Sequence, residues 1–392
     1  MVSALNFSFF RRLAVQILFL SFLAGLRLLE ANPLKQDNFS AIELPRSIRV
    51  AIMDGVDSVN IRIRGRYELF GFGQQTISQQ GNNLNVTVHV SKAGIFCGQH
   101  FLVTRLKFRP DESRVIWVNG RNFKGEIECI KRSDNKLLVV NTLELEDYIK
   151  GVLYHEVSHY WPKEVLKAQA IVSRTYAAYK IQENKDKDFH VSCDIYSQVY
   201  GGKTSERYRT SRAVDETRGE VIIFNGSLIP AYFHASCGGH TEDAGELWNT
   251  DIPALKGVVC NFCRESPHFR WYAVIPLKEL AEKLGLSARI LRIEVSSINA
   301  SGRVRELKLV TEDKETRISG KDFRNRLGPG LIRSLRFRLK VEGNDAVFEG
   351  TGWGHGVGLC QWGAYFLAKE GYGYAEILRY YYPGCKIANK VR

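Results

Sequence analysis

The chain has 392 residues, eight cysteines and a formal net charge of +13. That length supports one large domain or two to three ordinary ones, each with its own core, and excludes a peptide-sized module. The basic balance argues for an anionic partner, yet no zinc-finger or aromatic single-strand-binding pattern of a nucleic-acid reader is present. In chain order, residues 11–31 (RRLAVQILFLSFLAGLRLLEA) place two arginines before an apolar run of roughly 14 residues, the layout of a secretory signal and short for a membrane span. Leu29-Glu30-Ala31 is an imperfect cleavage site, so segment 1–31 reads as a signal peptide or an uncleaved signal anchor. Either way the remainder is exported to the periplasm or cell envelope, and membrane association rests on this segment alone. Export permits disulfides, removes most of the case for nucleic acid and leaves acidic wall polymers or membrane surfaces as partners.

From residue 42 to 139, short alternating or β-branched runs (SIRVAIM, SVNIRIRG, NLNVTVHV, RVIWVNG, KLLVV) are punctuated by Gly and Asn, which predicts an antiparallel β-rich domain. Arg64-Gly65-Arg66-Tyr67 and Val118-Asn119-Gly120-Arg121 read as turns. Two helices meeting at a corner follow. Asn141 or Thr142 is a candidate cap, with Glu144, Glu146 and Asp147 in a first turn whose dipole favours acids. This helix runs to about His155. Pro162 then forces a turn through Ser158–Trp161 and suits the start of a second helix, whose Ala168, Ala170, Ala177 and Ala178 predict burial. Glu156 sits at the corner among Tyr154, His155, His159, Tyr160 and Trp161. Poor solvation there would raise its pKa, although most glutamates at helix ends are merely solvated.

Further on, CDIYSQVYGG (193–202) precedes a polar helix near Ser205–Thr217 and a strand, GEVIIFNGSLI, that turns at Asn225-Gly226. The next strand, AYFHASCGGHTEDAGELW, ends on a Gly-Gly corner carrying His240, Thr241 and Glu242. Residues 268–345 read as an inserted β-rich or α/β segment, with LKELAEKLGL a short helix closing on Gly285 and RILRIEVSSINASGRVRELKLV a strand, turn and strand. Glycines at 350, 352, 354, 356 and 358 predict an extended strand with one bare face open to a ring or a neighbouring chain. A helix follows from about Gln361. No Lys-Ser/Thr follows these glycines, which argues against a phosphate loop. Packing is the simpler reading of Trp353 and Trp362. The whole is α+β: a β-rich N-terminal domain, then a mixed α/β domain over 140–385 with the insertion.

His234-x2-Cys237 followed by Cys260-x2-Cys263 has the paired short spacing of a tetrahedral zinc site, which would pin the Gly-Gly lip. The alternative is disulfides, with Cys193 or Cys360 as further partners. Cys97 and Cys129 are candidates to pair with each other.

GVLYHEVSHYWPKEVLKAQAIVSRTYA, CDIYSQVYGG, AYFHASCGGHTEDAGELW and GWGHGVGLCQWGAYFLAKEGYGYAEILRYYYPG, taken in that order, resemble the stage II sporulation protein D and amidase-enhancer family of bacterial cell-wall proteins. The resemblance implies a lytic transglycosylase that cuts peptidoglycan glycan strands, preferring those stripped of stem peptides. It implies Glu156 as the acid/base, and Gln198, Tyr200, His240 and His355 as residues that bind the sugar or steady its developing charge. For His355, a hydrogen bond within the glycine-rich segment is an equal reading. Two departures stand out. Glu-Met-Pro is common in the family where Glu156-Val157-Ser158 stands here, and Tyr196 and Ser197 replace a His-Cys pair with which some members hold zinc, so that zinc site is not carried over.

A lytic transglycosylase works with one carboxyl group where a hydrolase usually needs two. The acid protonates the oxygen between N-acetylmuramic acid and N-acetylglucosamine. It then takes a proton from the muramic 6-hydroxyl, which closes on the anomeric carbon to give the 1,6-anhydro sugar. The pKa must therefore be raised by about two units. No cofactor is required, and a zinc ion would be structural. The competing expectations are a non-catalytic amidase enhancer that binds wall and stimulates a wall amidase, and a hydrolase pairing Glu156 with Glu242. Glu242 or Glu246 would be next in line should Glu156 not be the acid.

Overall fold

The computed structural model describes residues 43–389 except 74–75, 112–114 and 195–196; the expected signal segment lies outside them. Six long strands build the first half: β1 (Ser47–Val56), β2 (Ser58–Gly73), β3 (Ile77–Val90), β4 (Val103–Pro110), β5 (Glu126–Lys131) and β6 (Leu137–Glu144). In the sheet they run β1-β6-β5-β4-β2-β3, all antiparallel, with Val191–Ser192 added in parallel beyond β1. The alternation seen in the sequence is obeyed: in β2, Val59, Ile61 and Ile63 are buried while Ser58, Asn60 and Arg62 are exposed. Asn119-Gly120 makes the turn between Ile116–Val118 and Arg121–Phe123. Arg64–Tyr67 is not a turn. Gly65, at φ 87°, sits in a bulge of β2 where the register with β3 shifts between Ile63 and Arg66.

Helix α1 (Leu145–Glu156) starts directly from β6, so Asn141 and Thr142 are strand residues and no side chain caps the helix. Asn141 instead donates to the carbonyls of Lys124 and Glu126, tying β6 to its neighbour. After an extended Val157 and the Ser158–Trp161 turn, Pro162 opens α2 (Lys163–Glu183). Its small residues 168, 170, 177 and 178 are fully buried, as their sequence requires. This helix separates two cores. Leu166, Ala170 and Ala177 pack with α1 and the sheet residues Ile48, Val139 and Phe108. Val165, Ala168, Ile171 and Val172 pack with Ile222, Val357, Leu359 and Ala364. Each fully buried aliphatic side chain contributes about 1.5–3 kcal/mol, so α2 is anchored from both sides. The β sheet and the two helices share one core across the 139/140 junction.

Beyond α3 (Tyr208–Glu216), a hairpin turns at Asn225-Gly226 (φ 48° and 79°), as the dipeptide dictates. Helix α4 (Ala244–Trp248) follows the Gly-Gly corner. The insertion holds α5 (Leu277–Leu284), closed by left-handed Gly285, then two antiparallel strands, Ile290–Ile298 and Val304–Thr311, and α6 (Gly320–Leu327). It has a core of its own, built on Trp271, Leu280, Leu307, Phe323, Phe337 and Phe348. It begins and ends on paired strands, with Arg270 opposite Thr351.

The glycine-alternating segment is a strand only as far as Thr351. Glycines 352, 354, 356 and 358 all have positive φ, from 73° to 113°, so the backbone winds rather than extends. Close approach survives from the expectation, but protein fills the bare side: a Cβ at Gly356 would lie 2.3 Å from the Arg303 guanidinium, and one at Gly358 2.0 Å from the Tyr232 carbonyl. Helices α7 (Gln361–Lys369) and α8 (Tyr374–Tyr381) end the fold.

Candidate active site

Glu156 is the last residue of α1, where the helix dipole presents its negative end and opposes a second negative charge. Burial in the corner lifts its pKa to about 7, and a single backbone donor, the Val199 N–H at 3.3 Å, pulls the other way. Two tyrosines feel the same carboxyl. Tyr148 and Tyr176 have their hydroxyl pKa values raised, first by burial and in smaller part by neighbouring charges that include Glu156. The group is thus half protonated at neutral pH and, among the described residues, accepts one hydrogen bond, a state suited to giving and regaining a proton.

Gln198 is buried beside this carboxyl, one residue before the Val199 donor. Its Oε1 accepts from the Tyr148 hydroxyl at 3.2 Å, and among the described residues its Nε2 has no hydrogen-bond partner. Tyr200 is placed differently from the expectation. It is 2 % exposed, its hydroxyl donates to Asn141 at 2.9 Å, and a Cβ at Gly151 would lie 2.5 Å from its ring. That is the position of a residue that holds α1 against the sheet, out of reach of a polysaccharide.

His355 stands in an aromatic cage, with the rings of Tyr232, Trp248 and His234 centred 6.0, 5.3 and 5.6 Å away. Desolvation, with Arg324 adding to it, pushes its pKa down to about 4, so the ring is neutral; its Nδ1 accepts from the Val357 N–H at 3.1 Å. The link to the corner runs through Tyr232, whose ring is 6.0 Å from that of Tyr176 on α2. His240 belongs elsewhere: its Nδ1 faces the Thr241 carbonyl, its backbone bridges to Val259, and its carbonyl accepts from Arg303. These contacts do not connect it to Glu156.

Neither alternative acid is free. Glu242 is 2 % exposed and accepts from Asn299, Ser301 and the Asp243 N–H, with Arg303 at 3.9 Å, while Glu246 pairs with Arg305 on the surface. A hydrolase built on Glu156 and Glu242 has no support in these contacts. An open groove of about 1460 Å³ in the insertion, lined by Tyr272, Arg292, Arg338 and Lys340, includes no residue of the corner.

The sequence reading missed Tyr176 and Tyr232, whose rings only the fold brings to 6.0 Å of one another. Trp362 packs against the second core, as expected from the sequence. That ring is half-buried and meets Trp161 at 4.9 Å and Tyr365 at 5.2 Å, forming an aromatic row beside the corner.

The metal-ligand set needs a correction. The sulfurs of Cys237, Cys260, Cys263 and Cys360 all lie within 4.8 Å of one another. His234 is not among them: its Nδ1 is hydrogen-bonded to the Val357 carbonyl at 3.1 Å, and its buried Nε2 has no partner among the described residues. None of the eight cysteines, Cys97 and Cys129 included, is paired in a disulfide.

Residues 133–224 match the stage II sporulation protein family, and residues 254–358 match a domain family of unknown function. An uncharacterized protein of Brachyspira hyodysenteriae is 36 % identical over 350 residues, covering 87 % of this chain and 93 % of the relative. Stage II sporulation protein D of Bacillus subtilis is 30 % identical over 270 residues, covering 64 % and 76 %. An amidase enhancer of the same organism is 26 % identical over 293 residues, covering 62 % of this chain and 40 % of the relative.

Proposed function

We propose, from the premise that this chain belongs to the stage II sporulation protein D family, that it acts on the bacterial cell wall as a lytic transglycosylase. Its substrate would be peptidoglycan glycan strands, with peptide-stripped strands preferred. The observation that carries this reading is the Glu156 carboxyl with a pKa of about 7 at a helix end. In its acid form the group protonates the glycosidic oxygen; as carboxylate it takes the proton of the muramic 6-hydroxyl, and the anhydro ring closes without water. Gln198, as buried as Tyr200 and held by the Tyr148 hydroxyl, would act behind the site as a positioning residue rather than touch the sugar. Neutral His355, whose ring nitrogens are already bonded to the Val357 N–H and the Phe233 backbone, would line the site without opposing the cationic sugar by charge. Such a substrate requires export, which the N-terminal segment is suited to direct.

The kinship with an amidase enhancer supports a second reading, in which the protein binds wall and stimulates an amidase without cutting glycan. Incubating the purified protein alone with peptide-free glycan and weighing the products by mass spectrometry separates the two. Anhydro ends are expected. Intact glycan would leave the enhancer reading, and reducing ends would indicate hydrolysis.

A further inference from the structure

We propose that Cys237, Cys260, Cys263 and Cys360 hold one zinc ion as four thiolates, and that this ion staples both ends of the inserted domain to the domain that carries Glu156. The four residues are 0 % exposed. Zinc bound at about 2.3 Å to each sulfur of a tetrahedron sets sulfurs about 3.8 Å apart. Here Cys237 and Cys263 are 3.5 Å apart, and all four lie within 4.8 Å. Disulfides would instead need two pairs at about 2.05 Å.

The second observation is what points at the sulfurs. Cys360 Sγ accepts from the Cys237 N–H at 3.2 Å and the Gly363 N–H at 3.3 Å, and Cys237 Sγ accepts from the Gly239 N–H at 3.4 Å. The Tyr381 hydroxyl lies 3.2 Å from Cys260 Sγ. Backbone N–H groups aimed at sulfur stabilise thiolate, the form a metal binds. Gly238 and Gly239, at φ 74° and 116°, make the tight turn that lets the chain curl around its own sulfur. Binding releases four thiol protons and leaves a net charge of −2 on the cluster. Buried Arg303, whose Nη2 donates to the Cys237 carbonyl at 2.9 Å, is placed to offset it.

The topology supplies the role. Cys260 and Cys263 stand just before the insertion's first strand, Arg270–Pro276. Cys360 stands after its last, Asp345–Thr351, and caps α7. Cys237 belongs to the host's Gly-Gly corner. One ion therefore closes the neck of the insertion and fixes the glycine-rich segment that carries His355.

Elemental analysis of the full chain purified without chelator is expected to give one zinc per chain. Cys360→Ser should lose it, while His234→Ala should keep it. Should the serine variant fail to fold, cobalt exchanged into the unaltered protein is expected to show intense thiolate-to-cobalt charge transfer and the visible bands of a tetrahedral site. Hydrogen exchange after chelation should rise at 236–240, 258–264 and 352–362 while β1–β6 stay protected. Iron in place of zinc, metal-free protein with or without disulfides, or zinc that follows His234 rather than Cys360 would overturn the site. Unchanged exchange at the neck would overturn the staple. None of these readouts depends on glycan cleavage.

Discussion

A carboxyl with a pKa of about 7 gives two separable pH signatures. The reaction starts from the protonated form, so kcat/KM on peptide-free glycan should fall about tenfold per unit as pH rises above about 7. Glu156→Gln should lower the rate by about 10²–10⁴-fold at pH 6, the contribution of a positioned acid/base. Stability runs the opposite way for that variant. The folded pKa lies above the unfolded 4.5, so folding suffers no penalty below pH 4.5 and a growing one as pH rises toward 7, levelling off at about 3 kcal/mol. Urea unfolding should therefore find Glu156→Gln equal to the parent at pH 4 and more stable at pH 8, by on the order of 3 kcal/mol. Equal stability at both would mean the carboxyl is well solvated. This much was legible in the sequence, because a helix end among aromatics is a local fact. The Val199 donor and the Tyr176–Tyr232 contact were not, since both come from segments 20 to 80 residues away that only the fold brings together.

The α1–α2 pair sets where Glu156 points, and Arg174 sets the pair. This fully buried guanidinium clamps Glu146 in the first turn of α1 with two bonds of 2.8 Å, and its remaining donors reach the carbonyls of Val214 and Glu220. Arg174→Met leaves two carbonyls without that donor and Glu146 with the weaker Gly219 N–H at 3.3 Å, so unfolding by urea should show a loss of about 3–5 kcal/mol. Adding Glu146→Leu should recover part of it. First-turn acids, Pro162 and the small residues of α2 located both helices and the burial of α2, yet nothing in the sequence distinguished Arg174 from a solvated arginine one turn along. The glycine segment failed for a related reason. Alternation of glycine fits an extended strand, but it equally fits a chain in which every second residue takes positive φ, and packing against Tyr232, His234 and Arg303 selects the latter. At Gly358 an added Cβ would meet the Tyr232 carbonyl at 2.0 Å and hold φ at +73°. Gly358→Ala should accordingly cost at least about 1–3 kcal/mol from the backbone alone, seen as a lowered Tm, and displace His355.

At the scale of the whole chain, the insertion was recognisable from its strand–turn–strand pattern, but its coupling to the host was not. Arg303 is one of 55 lysines and arginines, and only the fold reveals it as the bolt between two cores. It leaves the insertion, passes Gly356 and donates to the carbonyls of His240 and Cys237, with Glu242 at 3.9 Å. Glu242 in turn accepts from Asn299 and Ser301 of the insertion, so the buried polar network spans the junction while the apolar cores on either side remain separate. A network of this kind couples the stability of the two parts, and it does so here with the Arg303 Nε–H lacking a hydrogen-bond partner among the described residues. Removing the guanidinium leaves Glu242 buried with its charge uncompensated, which costs about 3–5 kcal/mol, and that cost falls on the junction rather than on either core. Arg303→Met should therefore uncouple the two. Hydrogen exchange in moderate urea should show the amides around Leu280, Leu307 and Phe348 opening before those of β1–β6 in the variant, whereas in the parent chain both sets open together. Early opening of the insertion in the parent as well would show that the cores, not this arginine, decide how the molecule unfolds.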